Sequence, residues 1–249
     1  LVLRFDDVTP IDSVNDIFVK RDDLFSVGGS LGGKVRTCLA LANEGVAAGG
    51  SVLVSAGSRQ SPQIEIVSDV AVSLGLAAEV VVPQGSDTPQ IVHASEAGSV
   101  IHRVFPGYNN VLSKRARDLA ATVSGGIHIP FGMECDMAVT MTALQCSNLP
   151  DVKRIVVPVG SGMSTAGILA GTNFSIPVLG VCVGASPVKR LNKYAPGWES
   201  VLTLVNAGVD YHKSVHGKIG PIELDPIYEA KCLPFLEPGD LFWIVGKRR

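Results

Sequence analysis

Residues 154–167 read Arg154-Ile155-Val156-Val157-Pro158-Val159-Gly160-Ser161-Gly162-Met163-Ser164-Thr165-Ala166-Gly167. A run that is apolar throughout, rather than alternating, leads through glycines and hydroxyls into small and apolar residues. That pattern predicts a parallel strand covered on both faces, a tight turn, and a helix over about Ser164–Ala170. The same strand signal recurs in both directions along the chain, at Ile17–Lys20, Ser51–Val54, Glu79–Val82 and Val178–Val181. Between these runs lie segments of helical period. Val35, Cys38, Leu39 and Ala42 share one face, and further helices are predicted over Pro62–Ser73, Leu112–Val123 and Asp136–Cys146. Pro62 is tolerated in a first turn, where its missing N–H costs little. Alternating strands and helices imply right-handed crossovers in an open α/β sheet, with ligands at the carboxyl ends of the strands. The Pro/Gly-rich stretch Gly217–Pro226 reads as a long irregular loop.

Composition sets the outer bounds. The 249 residues are 46% hydrophobic, 18% charged and 6% aromatic, with a net charge of −2 and a mean hydropathy of +0.32. These values exclude a disordered chain and supply one large or two small cores. No Lys/Arg block suits a phosphate backbone, and no apolar run nears the roughly 20 residues of a membrane helix. The opening Leu1-Val2-Leu3-Arg4-Phe5-Asp6-Asp7 is not the pattern of a secretory leader. Five cysteines without Cys-x-x-Cys spacing fit reduced thiols, so a cytoplasmic protein is expected. His93, His102 and His128 stand alone in sequence and are expected to be structural, with no metal site. Trp198 and Trp243 are expected to pack, and Lys247-Arg248-Arg249 to be a solvated end.

Two glycine-bearing loops carry the chemistry. Gly160–Gly167 offers backbone N–H groups, hydroxyls and a helix N-terminus, which together suit a phosphate. A dinucleotide fingerprint would need Gly or Ala at Thr165 and an acid about 20 residues on. A hydrolase elbow around Ser164 would need Gly at Ala166, and would draw on Asp210 with His212 or His216. The other loop, Val27-Gly28-Gly29-Ser30-Leu31-Gly32-Gly33-Lys34-Val35-Arg36, places Lys34 in the first turn of a helix. A cation is disfavoured there by about 0.3–1 kcal/mol, so a neutral amine capable of Schiff-base chemistry is one reading. A solvated lysine is another. A third is a nucleotide-hydrolase phosphate loop, because Gly28–Lys34 matches Gly-x-x-x-x-Gly-Lys, although Val35 stands where a metal-binding Ser/Thr is needed. A ligand bearing both an aldehyde and a phosphate would join the two loops, and pyridoxal 5′-phosphate is such a ligand.

Five segments, in order, resemble the fold-type II (tryptophan synthase β-like) pyridoxal-phosphate enzymes, in particular the 1-aminocyclopropane-1-carboxylate deaminase and D-cysteine desulfhydrase branch. They are Lys20–Leu24 with Gly32–Arg36, Gly57–Gln63 continuing through Val70–Leu76, Ile129–Gly132, Gly160–Gly167, and Asp225–Lys231. The resemblance implies that Lys34 holds the cofactor as a Schiff base and shuttles a proton. It implies that Ser61 and Gln63 hold the substrate carboxylate, with Ser61 as the active-site hydroxyl. Gly160, Ser161, Gly162, Met163 and Ser164 would bind the phosphate. Tyr228 would face the substrate, and Glu229 would keep the pyridine nitrogen protonated. This sequence departs from the pattern at Gly33 and Pro62, where the family has Asn, at Thr37, at Val245-Gly246-Lys247, and in a shortened tyrosine-bearing loop.

The expected architecture is therefore a shortened two-domain fold type II, with residues 1–48 and 130–249 forming a large cofactor-binding domain and 49–129 a small inserted one. The expected function is a deaminase- or lyase-like reaction on an amino acid, or on an amino acid attached to a larger molecule such as a modified nucleobase. A homodimer away from any membrane is expected. The alternatives are a nucleotide hydrolase using Gly28–Lys34 and a non-catalytic binding protein that keeps the fold.

Overall fold

The computed structural model describes residues 4–248; Leu1–Leu3 of the opening segment and Arg249 of the basic end lie outside it. The chain begins with strands β1 (Ile11–Val14) and β2 (Ile17–Arg21), the short strands β3 (Ser26–Val27) and β4 (Ser30–Leu31), and helix α1 (Gly33–Ala47). It continues through β5 (Val52–Ala56), α2 (Pro62–Leu74), β6 (Ala77–Pro83), α3 (Pro89–Glu96), β7 (Val100–Val104), α4 (Asn109–Thr122) and β8 (Gly126–His128). Then come α5 (Asp136–Leu144), β9 (Arg154–Val159), α6 (Met163–Gly171), β10 (Val178–Cys182), α7 (Val188–Tyr194) and β11 (Leu202–Asn206). The short strands β12 (Lys218–Ile219) and β13 (Ile222–Glu223) precede the last strand, β14 (Asp240–Ile244).

Two compact units result, one of Asp6–Phe25 with Asp136–Arg249, the other built mainly of Ser26–Cys135. Segment 26–48, given above to the larger domain, packs in the second of these through α1 against α2.

In the unit containing Asp136–Arg249, six strands lie in the order β1-β2-β14-β9-β10-β11, parallel except for the antiparallel β1–β2 pair. Both faces are covered, which is why these strands are apolar throughout. Leu241 and Trp243 pack on one side with Ile155, Val157 and Ile168, while Phe242 and Ile244 pack on the other with Val19, Val156 and Val181. Each such large side chain contributes roughly 1.5–3 kcal/mol on burial. Arg154 and Asp240 are directly paired across β9 and β14, and the guanidinium grips the fully buried carboxylate through two 2.9 Å bonds. This bidentate contact pins the register of the pair. The expected loop over Gly217–Pro226 holds the antiparallel β12–β13 pair instead.

Helices α5 and α6 approach closely because α6 offers glycines. A Cβ at Gly167 would fall 2.4 Å from Thr142 Cβ and 3.0 Å from the Val139 carbonyl. Gly167→Ala should therefore destabilise the folded protein by about 1–3 kcal/mol through overpacking. A lowered urea midpoint at unchanged slope is the expected result, and an unchanged midpoint would contradict the contact.

In the unit of Ser26–Cys135, four parallel strands run β7-β6-β5-β8. Helix α4 lays Leu112 and Ala116 on Ala56 and Val81. Helix α2 starts at Ser61 with Pro62 in its first turn, and stops at Gly75, whose φ of 68° is the left-handed conformation that terminates helices. All five cysteines are free, and burial pushes the Cys146 thiol up to about 12. Two of the lone histidines have partners: His93 Nε2 meets Asp69 at 2.7 Å and His102 Nε2 meets Glu79 at 2.6 Å, whereas His128 Nε2 is buried with no hydrogen-bond partner. Among the described residues, no helix is long and apolar enough to cross a membrane, and no group of three His, Cys, Asp or Glu could hold a metal.

Candidate active site

The predicted residues fall into two sets, one in each unit. In the four-stranded unit, the first glycine loop is not a phosphate cradle. Gly28 and Gly29 form a two-residue turn joining β3 to β4, with Val27 paired to Ser30, and both glycines have positive φ (60° and 93°). Such a turn needs that conformation at both central positions, which explains the Gly-Gly pair without any nucleotide. Helix α1 then begins at Gly33, which places Lys34 in its first turn as the sequence predicts, and the lysine is exposed there.

Ser61 caps α2. Its Oγ accepts the Gln63 N–H at 3.3 Å, leaving the hydroxyl proton available to a ligand. Gly57 fits closely beneath this loop, where a Cβ would come 3.0–3.4 Å from Ile64 and Ser61. The Arg59 carbonyl accepts from the Thr88 hydroxyl, and the Arg59 guanidinium donates to the Ser86 carbonyl at 3.0 Å. Gln63 is buried, and its carboxamide makes three bonds within the protein. Nε2 donates to Ser55 Oγ and to the Pro130 carbonyl, both at 2.8 Å, and Oε1 accepts from Gly132 N at 2.6 Å. The segment Ile129–Gly132 is thereby tied to the start of α2.

In the six-stranded unit, β9 delivers Gly160, Ser161 and Gly162 to the start of α6. Gly162 is the N-cap, with a φ of 89°, and Ser161 Oγ accepts the Met163 N–H at 3.4 Å. Met163 has its side chain in the core, so it faces any ligand through backbone alone, whereas Ser161 and Ser164 are half-buried. Thr165 Oγ1 is buried with no hydrogen-bond partner. Asp225 accepts the N–H groups of Ile227 (2.9 Å) and Tyr228 (3.1 Å), which fixes the turn presenting Tyr228 and Glu229.

Tyr228 lies across the glycine turn: a Cβ at Gly160 would sit 2.9 Å from its ring and 3.2 Å from its hydroxyl. Burial, then the hydrogen bond to Tyr211, pushes the Tyr228 phenol above its usual range, so it is a proton donor at neutral pH. Glu229 is fully buried. Its Oε1 accepts the Val245 N–H at 3.1 Å, and its Oε2 is buried with no partner. Burial and the neighbouring Asp225 push its pKa well above the usual carboxylate range.

Three residues here were not legible as site components. Tyr228 donates to the Tyr211 hydroxyl at 3.3 Å, their rings meeting edge to face. Arg248, expected at a solvated end, donates to the same hydroxyl at 3.4 Å and lies over the Tyr228 ring at 5.4 Å. Lys231 donates to the carbonyls of Asp210 and Tyr211 (2.8 and 3.1 Å), holding the Tyr211 loop in place. The sequence signals were Asp210 and His212, which flank Tyr211 and were read for a different chemistry, and the Asp225–Lys231 segment that Lys231 closes. In the structure the Asp210 carboxylate accepts the His212 backbone N–H and the imidazole packs on Tyr211.

The Lys20–Leu24 motif is architectural. Lys20 donates to the Thr9 carbonyl (2.7 Å) and Asn148 Oδ1 (2.8 Å), and Arg21 grips Asp23 through two 2.9 Å bonds.

No family model matches the chain, and no curated protein matches it in sequence. Solved structures do match it in fold. An ACC deaminase homologue superposes with a TM-score of 0.81 at 21% identity, covering 99% of this chain and 90% of that one. An O-ureido-L-serine synthase gives 0.71 at 16% identity over 99% and 92%. A pyridoxal 5′-phosphate-dependent aspartate racemase gives 0.66 at 12% identity over 97% and 90%. The chain thus has the two-domain α/β fold expected from its sequence, fold type II, in a somewhat shortened form.

Proposed function

We propose that this protein is a pyridoxal-phosphate-dependent enzyme acting on an amino acid or an amino-acid-bearing compound, by a deaminase- or lyase-like reaction. The observation that carries the reading is Glu229, a fully buried carboxyl whose Oε2 has no partner within the protein. An unpaired buried polar atom costs about 1–3 kcal/mol, and a ring nitrogen is a group that would satisfy it. The donor set around α6 fits the other end of the cofactor: N–H groups at a helix start, the hydroxyls of Ser161 and Ser164, and the unpartnered Thr165 Oγ1. When bound, pyridoxal phosphate supplies an electron-withdrawing ring that accepts the electron pair released at the substrate's α-carbon.

The chain's own residues have separable tasks. Lys34 provides the amine for the cofactor's aldehyde carbon and moves a proton at the substrate's α-carbon. Ser61 donates its hydroxyl proton to the substrate carboxylate. The three bonds of the Gln63 carboxamide support a role in shaping that carboxylate loop rather than in direct contact with substrate. Tyr228 faces the substrate as a neutral phenol and donates a proton there.

The shortened tyrosine-bearing loop supports a substrate larger than a free amino acid, an amino acid on a modified nucleobase being one example. We further propose a cytoplasmic homodimer. The test is to soak the apo-protein with pyridoxal phosphate, reduce with borohydride and map the peptides. The expected result is a visible absorbance band that borohydride removes, together with an adduct on the Lys34 peptide. Absence of the adduct overturns the proposal. A yellow, adduct-bearing protein inert to every amino compound would instead support a non-catalytic binder.

A further inference from the structure

The middle of α2 carries a buried polar cluster that no step above uses. Asp69 is 5% exposed and sits on a helix whose neighbouring Ile66, Val67, Val70 and Ala71 are all core residues. A carboxylate in such a place is costly unless paired. One oxygen, Oδ2, accepts the Ser30 hydroxyl at 2.6 Å, and the other, Oδ1, meets His93 Nε2 at 2.7 Å. Ser30 lies on β4, immediately after the Gly28-Gly29 turn and four residues before Lys34; His93 lies on α3. Gly28 closes over the same side chain, since a Cβ there would stand 2.8 Å from Asp69 Cβ.

One carboxylate therefore joins three elements of this unit: the hairpin leading to Lys34, the helix that Ser61 caps, and α3. The hairpin needs such an anchor. It consists of two two-residue strands around a Gly-Gly turn, followed by a further glycine at φ 103° before the helix begins. Glycines have more freedom to lose on ordering than any other residue, and so short a ladder supplies few bonds to hold them.

We propose that Asp69 is a positioning residue that, through Ser30, fixes the hairpin leading to Lys34 relative to helix α2. The inference deepens the function proposed above, since it concerns the placement of its reactive amine. The experiment compares wild type, Asp69→Asn, Ser30→Ala, Ser30→Thr and His93→Gln as apo-proteins, by amide hydrogen exchange and by the rate of borohydride-trapped adduct formation at Lys34. In Asp69→Asn, amides 28–33 should exchange about tenfold faster while those of β5 and β6 keep their wild-type rates, and trapping should slow by about the same factor. Ser30→Ala should reproduce the hairpin's loosening, Ser30→Thr should restore it, and His93→Gln should have the smaller effect. Exchange that is unchanged in 28–33, or raised uniformly through β5 and β6, overturns the proposal. If Asp69→Asn fails to fold, the alanine and threonine variants at Ser30 decide the matter alone. A wild-type chain that takes no adduct at Lys34 refutes the proposed function, and the exchange comparison, made without cofactor, still judges Asp69.

Discussion

Lys34→Ala should take up pyridoxal phosphate without developing the borohydride-sensitive band, and its turnover of any amino substrate should fall by at least the 10²–10⁴-fold typical of a lost proton-transfer group. The effect should be chemical rather than structural. Lys34 is exposed in the first turn of α1, where a cation opposes the helix dipole, so its removal should leave stability unchanged or slightly raised. An unaltered urea midpoint together with a vanished adduct is the expected pair of results. Retention of the adduct in the alanine variant would move the reactive amine elsewhere and dismantle the assignment.

Glu229→Gln should alter the pH dependence of stability. The folded protein holds the Glu229 carboxyl well above its usual pKa because it is fully buried and lies near Asp225. In the unfolded chain it titrates near 4.3, so above about that pH the unfolded state has lost a proton that the folded state keeps. The contribution is therefore fully present below the unfolded pKa and disappears as pH rises towards the folded value, at up to about 1.4 kcal/mol per pH unit. Glutamine has no proton to lose and removes this slope. Urea midpoints of the two apo-proteins from pH 4 to 8 should diverge, the glutamine variant gaining relative to wild type as pH increases. A difference that stays constant across that range would show that Glu229 is not protonated in the folded state. Where the same carboxyl gives its proton to a bound ring nitrogen, the variant should also bind pyridoxal phosphate more weakly.

Much of the fold was readable because parallel strands covered on both faces leave unbroken apolar runs, as in β5, β6, β9 and β10. Strand β14 escaped although every one of its residues is buried, because Asp-Leu-Phe-Trp-Ile, headed by a charge, lacks the β-branched run that marks the other strands. That charge makes sense only beside Arg154, a partner 86 positions away. Strand β7 was missed for the opposite reason: it is an edge, and Val100 and Arg103 are exposed.

The candidate site divides in the same way. Lys34, Ser61, Gly160–Ser164, Tyr228 and Glu229 sit in local patterns of turn, cap and helix start. Asp69, Tyr211 and Arg248 acquire meaning only from residues distant in sequence. Gln63 carries a caution, because its motif suggested a ligand contact while its amide spends three bonds on Ser55, Pro130 and Gly132.

The position of β14 bears on how the molecule comes to fold. Phe18 pairs with Leu241, so the β1–β2 ribbon finds its neighbour only after nearly the whole chain has been traversed. Contacts of such long range form slowly, and until they form β2 and β9 each present a bare, strongly apolar margin. Nascent or partly denatured molecules should consequently be prone to clumping through those margins, and a helper that shields them during synthesis should raise the yield of native protein.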